Sequence, residues 1–332
     1  MRTHNPSSLP FSSSASRSGR SARSRRAPAP ASSTFAPPAF GGRHELGQNF
    51  LVDRRVVDRF VALTAATRGP IVELGAGSGA ITRELAALGR PLTALEIDRR
   101  RADSLRREFG DDPHVTIAEA DALAWRYPSA QHTVVGNVPF HLTTAIMRSL
   151  LARGGWTDAI LLTQWEVARR RCGVGGSSLL TAQWDPWFTF RLHERVPARA
   201  FKPAPSVDGG VFTIERRREP LVPTADRGAY QAFVAEVYRG RGRGLAQILR
   251  RTSRPVPVER TRSLLRAVGI GADVLPSRIT GPQLAALWAG GARRWARWWQ
   301  SASVSSPLRT GPEQQRPHDT NGESRLCDDL WN

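Results

Sequence analysis

Cysteine is scarce in this chain of 332 residues: Cys172 and Cys327 are the only two, and there is no Cys-x-x-Cys. Two thiols cannot build a zinc cluster by themselves, and a reducing compartment is the default expectation. Long apolar runs are missing too. No stretch reaches the eighteen or so apolar residues of a membrane span, and no apolar core of a signal peptide follows the start, so a soluble, cytoplasmic protein is expected. Acids are absent from residues 1–42, and Lys202 is the only lysine among 48 lysines and arginines. Arginine richness of this kind fits a GC-rich genome as well as a function. The formal charge of +19 nevertheless lies far outside ordinary cytosolic values, and points to a polyanion, either nucleic acid or an anionic membrane surface.

What the chain does contain is organised around Ile71-Val72-Glu73-Leu74-Gly75-Ala76-Gly77-Ser78-Gly79. An apolar run opening into alternate glycines and then a helical pattern reads as strand, tight turn and helix start. Glycine permits positive φ and lets a ligand lie against the backbone, while the helix start presents unpaired N–H groups. The dinucleotide fingerprint is Gly-x-Gly-x-x-Gly, whereas here the glycines fall at 75, 77 and 79 behind Glu73. A carboxylate in that place repels a pyrophosphate and suits the ammonium and sulfonium of S-adenosylmethionine. About twenty residues on, Leu92-Thr93-Ala94-Leu95-Glu96-Ile97-Asp98 reads as a second strand ending in an acid that can accept both ribose hydroxyls.

Residues 1–42, rich in serine, proline and arginine, are expected to be disordered: a transit peptide, a basic arm for RNA phosphates, or an inert extension or misassigned start. A helical face of Val52, Val56, Val57, Phe60 and Leu63 precedes the first strand and is expected to pack over the cofactor. Beyond the second strand come a basic helix over Arg99–Phe109, a strand from Val115 to Asp121, and a strand from His132 to Gly136 that delivers Asn137-Val138-Pro139-Phe140. This alternation predicts a parallel doubly wound sheet, with Glu73, Glu96, Asp121 and Asn137 lining one crevice at its carboxyl ends. Asp121 is read as an acceptor for the cofactor's adenine amino group, as a helix N-cap, or as both. Further strands are expected over Ala159–Gln164, Trp187–Leu192 and Gly210–Ile214, with a helix from Trp165 to Arg171. From about Pro220 the pattern turns helical, at Tyr230–Tyr238, Leu245–Leu249, Arg262–Val268 and Pro282–Trp299. The expected organisation is therefore a catalytic domain over 43–218, a small all-helical, RNA-binding domain over 219–300, and a disordered tail over 301–332.

The exocyclic nitrogen of adenine is a poor nucleophile because its lone pair is delocalised. An Asn carbonyl and a backbone carbonyl at a proline-rigidified turn can accept both of its N–H bonds and aim the lone pair at a methyl donor, without a strong base. Asn137 and Pro139 supply such a turn, and Phe140 a flat surface for a base drawn out of its stack.

With these residues in view, the chain resembles the rRNA adenine N6-methyltransferases, and within them the Erm family of macrolide–lincosamide–streptogramin B resistance enzymes. The likeness runs from about Arg43 to Arg218, and more weakly to about Trp299. Leu46-Gly47-Gln48-Asn49-Phe50-Leu51 matches the family's first motif, so Gln48, Asn49 and Leu51 would contact the methionine part of the cofactor. Glu73 to Gly79 matches the glycine motif, Glu96-Ile97-Asp98 the ribose motif, Asp121-Ala122 the adenine motif and Asn137 to Phe140 the catalytic motif. Phe201-Lys202-Pro203-Ala204-Pro205-Ser206-Val207 matches a later motif near the target base, while Arg169 and Arg170 belong to an arginine rim that is equally a set of solvated helix faces. Phe140 replaces the commoner tyrosine and removes a hydroxyl. A sister family, the small-subunit rRNA dimethyladenosine transferases, shares most motifs; His141-Leu142-Thr143-Thr144 and Gln164 to Arg170 look more like Erm enzymes of actinomycetes. The resemblance implies a Rossmann-like class I methyltransferase that uses S-adenosylmethionine on one adenosine of 23S rRNA, as a monomer acting on protein-free RNA or an early precursor. A non-catalytic RNA-binding assembly factor on the same fold is the third reading.

Overall fold

Ile71–Leu74 is buried at all four positions, the signature of a strand covered on both faces, and the sheet grows outward from it. The computed structural model describes residues 49–252 and 255–291. The expectations for both chain ends, for Gln48 and for the helical pattern beyond residue 291 fall outside the described residues.

The elements in chain order are β1 (Phe50–Leu51), α1 (Arg54–Ala65), β2 (Ile71–Leu74), α2 (Ala80–Ala86), β3 (Leu92–Glu96), α3 (Arg99–Phe109), β4 (Val115–Glu119) and β5 (His132–Asn137). Then follow α4 (Thr143–Ala152), β6 (Trp156–Gln164), α5 (Trp165–Arg171), α6 (Leu179–Trp184), β7 (Phe188–Val196), β8 (Phe201–Lys202) and β9 (Gly209–Arg216). The last four are helices: α7 (Arg227–Arg239), α8 (Leu245–Leu249), α9 (Val258–Ala267) and α10 (Gly281–Gly291).

Seven strands form one sheet in the order β4-β3-β2-β5-β6-β9-β7, and β1 pairs with β8 in a separate two-stranded ribbon. β2 to β6 pair in parallel, as the alternation of strands and helices predicts, and β9 runs antiparallel to both of its neighbours, so the whole sheet is mixed. The segment from β7 to β9 turns back through β8, and β9 returns between β6 and β7 to pair with both. The chain leaves β2 toward β3 and β4, then returns to β5 on the other side. That reversal opens a crevice at the carboxyl ends of β2 and β5, where ligands of such folds sit.

Local signals explain most boundaries. Asp53 caps α1 by accepting from the Arg55 N–H, and Asp98 caps α3 through the Arg101 N–H. α1 buries Val56, Val57 and Phe60, whereas Val52 is exposed and does not join that face. Val52 precedes the cap, and its N–H is committed to the Ala200 carbonyl. The α4 helix was not read in the sequence: no side chain caps it, although Ile146, Met147, Leu150 and Leu151 repeat at helical spacing and are buried. Nor was α6, whose six residues are too few to show a period. β7 continues past Leu192 to Val196 through an irregularity between Leu192 and Glu194.

The helices from α7 onward share the core of the sheet's far end. Trp156 stacks on Phe188, Trp187 meets Tyr230 edge-on, and Tyr230 meets Trp288 in the same way. The Arg216 guanidinium lies over both Trp156 and Phe188, its aliphatic stem filling the seam. Among the described residues no helix is long and apolar enough to cross a membrane.

Candidate active site

Gly75 and Gly77 carry φ of +70° and +59°, and both line the crevice. A side chain at Gly75 would project into open space, and one at Gly77 would press within 3.3 Å of the Phe50 ring. The turn is therefore kept bare where a ligand must approach. Its shape is held from β3: the Ala76 N–H bonds the Leu95 carbonyl, and the Gly77 N–H donates to Glu96 Oε2 at 2.7 Å. Glu96 Oε1 accepts from the Asp98 N–H at 2.9 Å, so each carboxylate oxygen is anchored once and keeps a further lone pair.

Glu73 lies beneath the turn, 1% exposed, with Oε2 unpartnered. Burial pushes its carboxyl from the ordinary 4.5 up to about 7; the Thr82 hydroxyl draws it down and the charge of Glu96 adds to the rise. A cation placed beside Glu73 would reverse that. The gap corresponds to ~3 kcal/mol between the protonated and ionised carboxyl. Because the folded pKa lies above the unfolded one, the folded state holds the extra proton between about 4.5 and 7. Stability from this group is thus highest below that window and falls as pH rises through it. Glu73→Gln is expected to melt above the parent at pH 8 and level with it at pH 4.5. Parallel melting curves for the two proteins across that range would refute the assignment.

Asn137 ends β5 at the same level. Its side-chain amide donates from Nδ2 to the Asn49 carbonyl at 2.9 Å, which fixes Oδ1 as the end left to accept. The Val138 N–H is tied to the Leu162 carbonyl, and the Pro139 carbonyl takes the Leu142 N–H. Phe140 meets Phe201 edge-on, with centroids 6.3 Å apart. The β1–β8 ribbon, with Leu51 opposite Phe201, carries Asn49 and Phe50 over the mouth.

The crevice is open to solvent and is bounded by Asn49, Leu51, Glu73, Gly75, Gly77, Glu96, Asn137, Pro139 and Phe140. Other expected residues lie elsewhere. Asp121 is exposed beyond the end of β4, and its Oδ1 accepts the Leu123 N–H as a cap would; with Ala122 it is not part of the crevice wall. Ile97 is exposed beside Glu96. Phe201, 3% exposed, supports Phe140 from behind rather than facing the opening. Arg169 is paired with Glu166 at 2.7 Å and Arg170 is exposed, both on α5 beside a second, open groove. Phe50 is a site residue that the motif alone does not mark; its ring lines the crevice under the Arg101 guanidinium. The alternation of a strand does not single it out, because Leu51, buried in the core, borders the crevice as well.

The mixed sheet, its bare glycine turn and the acids at the ends of β2 and β3 define a Rossmann-like class I methyltransferase. Residues 39–271 match the family described as ribosomal RNA adenine dimethylase, and the chain belongs to that family, which uses S-adenosylmethionine as methyl donor. It is 51% identical over 214 residues to an rRNA adenine N-6-methyltransferase of Corynebacterium diphtheriae, covering 64% of this chain and 84% of the relative. It is 47% identical over 259 residues to the mycinamicin-resistance protein MyrB of Micromonospora griseorubida, covering 78% and 82%. The crystal structure of the 23S rRNA methyltransferase ErmE superposes with a TM-score of 0.68 at 34% identity, over 73% of this chain and 99% of that one. The residues present fit the cofactor: the unpartnered, buried Oε2 of Glu73 could accept from an ammonium, and the space beside Gly75 would admit a ligand chain.

Proposed function

We propose that this chain methylates the N6 of a specific adenosine in the peptidyl-transferase region of 23S rRNA, and thereby confers resistance to macrolides, lincosamides and streptogramin B. The observation that carries this reading is the tether from Asn137 Nδ2 to the Asn49 carbonyl, which presents Oδ1 to the crevice beside the glycine turn. Bound S-adenosylmethionine supplies an electrophilic methyl on a sulfonium. Asn137 Oδ1 accepts one N–H of the target amino group. The second acceptor is the Val138 carbonyl, since the Pro139 carbonyl already holds the Leu142 N–H and, at 3.4 Å, the Thr143 hydroxyl. Drawing on both hydrogens localises the nitrogen lone pair and leaves it pointing into the crevice. Phe140, propped by Phe201, carries the extruded base.

Glu96 takes the ribose hydroxyls, Asn49 and Leu51 flank the methionine part, and Ile97 covers one face of the cofactor's adenine, which explains an apolar side chain left in solvent there. Gln48, Asp121 and Ala122 keep the cofactor roles that the family motifs give them. The region 219–300, whose described part carries α7 to α10, holds RNA phosphates together with Arg169 and Arg170. Exposed pairs such as Arg169–Glu166 contribute little to stability and exchange readily for a phosphate. The chain works as a monomer in the cytoplasm on protein-free or early-precursor RNA.

The test is in vitro methylation with labelled S-adenosylmethionine, offering protein-free 23S rRNA and, separately, small-subunit particles, with mass spectrometry of the modified fragment. One N6-modified adenosine in the large-subunit RNA, with a yield that falls steeply as salt rises, is the expected result. Two adjacent dimethyladenosines in small-subunit RNA would overturn it in favour of ribosome biogenesis.

A further inference from the structure

Two threonines behind the catalytic turn do a job that apolar residues of the same shape could not. Thr143 opens α4 and Thr163 lies near the end of β6, 2% and 0% exposed. Their hydroxyl oxygens are 2.5 Å apart. Thr143 Oγ1 also lies 3.1 Å from the Phe140 carbonyl and 3.4 Å from that of Pro139. Each hydroxyl has one proton, which fixes the direction of the chain. Both carbonyls can only accept, so Thr143 donates to them, chiefly to Phe140, and Thr163 donates to Thr143. Ile160, Leu161 and Leu162 make the preceding run of β6 apolar, and a hydroxyl buried there is costly unless it is hydrogen-bonded.

We infer that Thr143 and Thr163 are positioning residues for methyl transfer: a chain of two buried hydroxyls, running from β6 to the back of the Asn137–Phe140 turn, sets where the turn's carbonyls point. The front of the turn is pinned to the same strand by the Val138 N–H on the Leu162 carbonyl. Held front and back by consecutive residues of β6, the turn has its Pro139 and Phe140 carbonyls drawn rearward. The Val138 carbonyl is left to face the target amino group. Neither threonine lines the crevice, so the effect falls on the geometry of transfer and not on either ligand's binding.

The inference rests on the methyl-transfer reading, and its test separates the two. Thr143→Val, Thr143→Ser, Thr163→Val and the parent are compared in full-length protein on 23S rRNA. Thr143→Val is expected to lower kcat by about 10- to 100-fold, the scale of a displacement near 1 Å, with KM for cofactor and RNA within about twofold. Thr143→Ser should return close to the parent, and Thr163→Val should fall between. In the cofactor-free protein, hydrogen exchange of the segment 138–142 should quicken in Thr143→Val while exchange in α1 stays unchanged. Parent kcat in Thr143→Val, or a Thr143→Ser enzyme as slow as Thr143→Val, would overturn the inference. If Thr143→Val fails to fold, parent kcat in Thr163→Val overturns it equally. Should the parent methylate no rRNA, the functional reading fails alone, and unaltered exchange at 138–142 in the valine variants would then decide against the brace.

Discussion

Asn137→Ala is expected to lower kcat by about a thousandfold, the scale of removing a preorganised acceptor from a water-poor site. Two things go at once. The variant loses the Oδ1 acceptor that localises the nucleophile's lone pair, and it loses the Nδ2 donor that holds the Asn49 carbonyl at 2.9 Å. The second loss separates this site from one needing only a hydrogen-bond acceptor. Asn137→Asp keeps the acceptor but sets a carboxylate oxygen against the Asn49 carbonyl, so it should be nearly as slow as alanine. Cofactor affinity should weaken only severalfold in either variant, because Glu96 and the glycine turn are untouched. The measurement is single-turnover transfer of labelled methyl to 23S rRNA, beside drug resistance of a susceptible host expressing each variant. Full resistance from Asn137→Ala would remove methyl transfer as the mechanism and leave a protein that works by binding RNA.

The parts of this fold that were legible in the sequence are those whose causes are local. Gly75, Gly77 and Gly79 announce a turn because glycine adopts their positive φ at the least steric cost. Arg99–Phe109 reads as a helix because Asp98 caps it and Ala102 and Leu105 give it an inner face. Leu245–Leu249 shows its inner face in Leu245, Ile248 and Leu249, without a capping side chain. What escaped depends on contacts between distant residues. Nothing near Gly209 says that β9 will slip antiparallel between β6 and β7, since the choice is made by which neighbours bury Val211, Phe212 and Ile214. Nothing near Asn49 says that a two-residue strand will pair with Phe201–Lys202, some 150 residues later, and so place a carbonyl against Asn137.

The site divides along the same line. Glu73, Glu96 and Asn137 were expected at one crevice because strand ends in such sheets converge, and their side chains do meet there. Asp121, expected by the same rule, lies two residues past the end of β4, beside the Ala120 N–H bond to the Glu96 carbonyl, and its Oδ1 caps the following turn by accepting the Leu123 N–H. Phe201 shows a different limit: a motif gives a residue's vicinity, whereas only packing tells whether its ring faces the opening or props the ring that does.

Glu96→Ala should raise the dissociation constant for S-adenosylmethionine by about a hundredfold or more, and leave RNA affinity within about twofold. Hydrogen bonds to a charged group contribute about 1.5–3 kcal/mol each, and two that this carboxylate makes are already visible, to the N–H groups of Gly77 and Asp98. Without them the glycine turn loses its fixed shape even before a ligand arrives. The ribose hydroxyls then lose their acceptor as well. Glu96→Gln divides the contributions: its carbonyl can keep the Gly77 N–H, whereas its amide cannot accept from Asp98, so an intermediate weakening of about tenfold is expected. Calorimetry gives the cofactor constants and filter binding the RNA constants, each in the full-length protein. Parent cofactor affinity in Glu96→Ala would remove the ribose assignment. RNA affinity falling in step with cofactor affinity would mean that the carboxylate organises the whole crevice rather than one ligand's end of it.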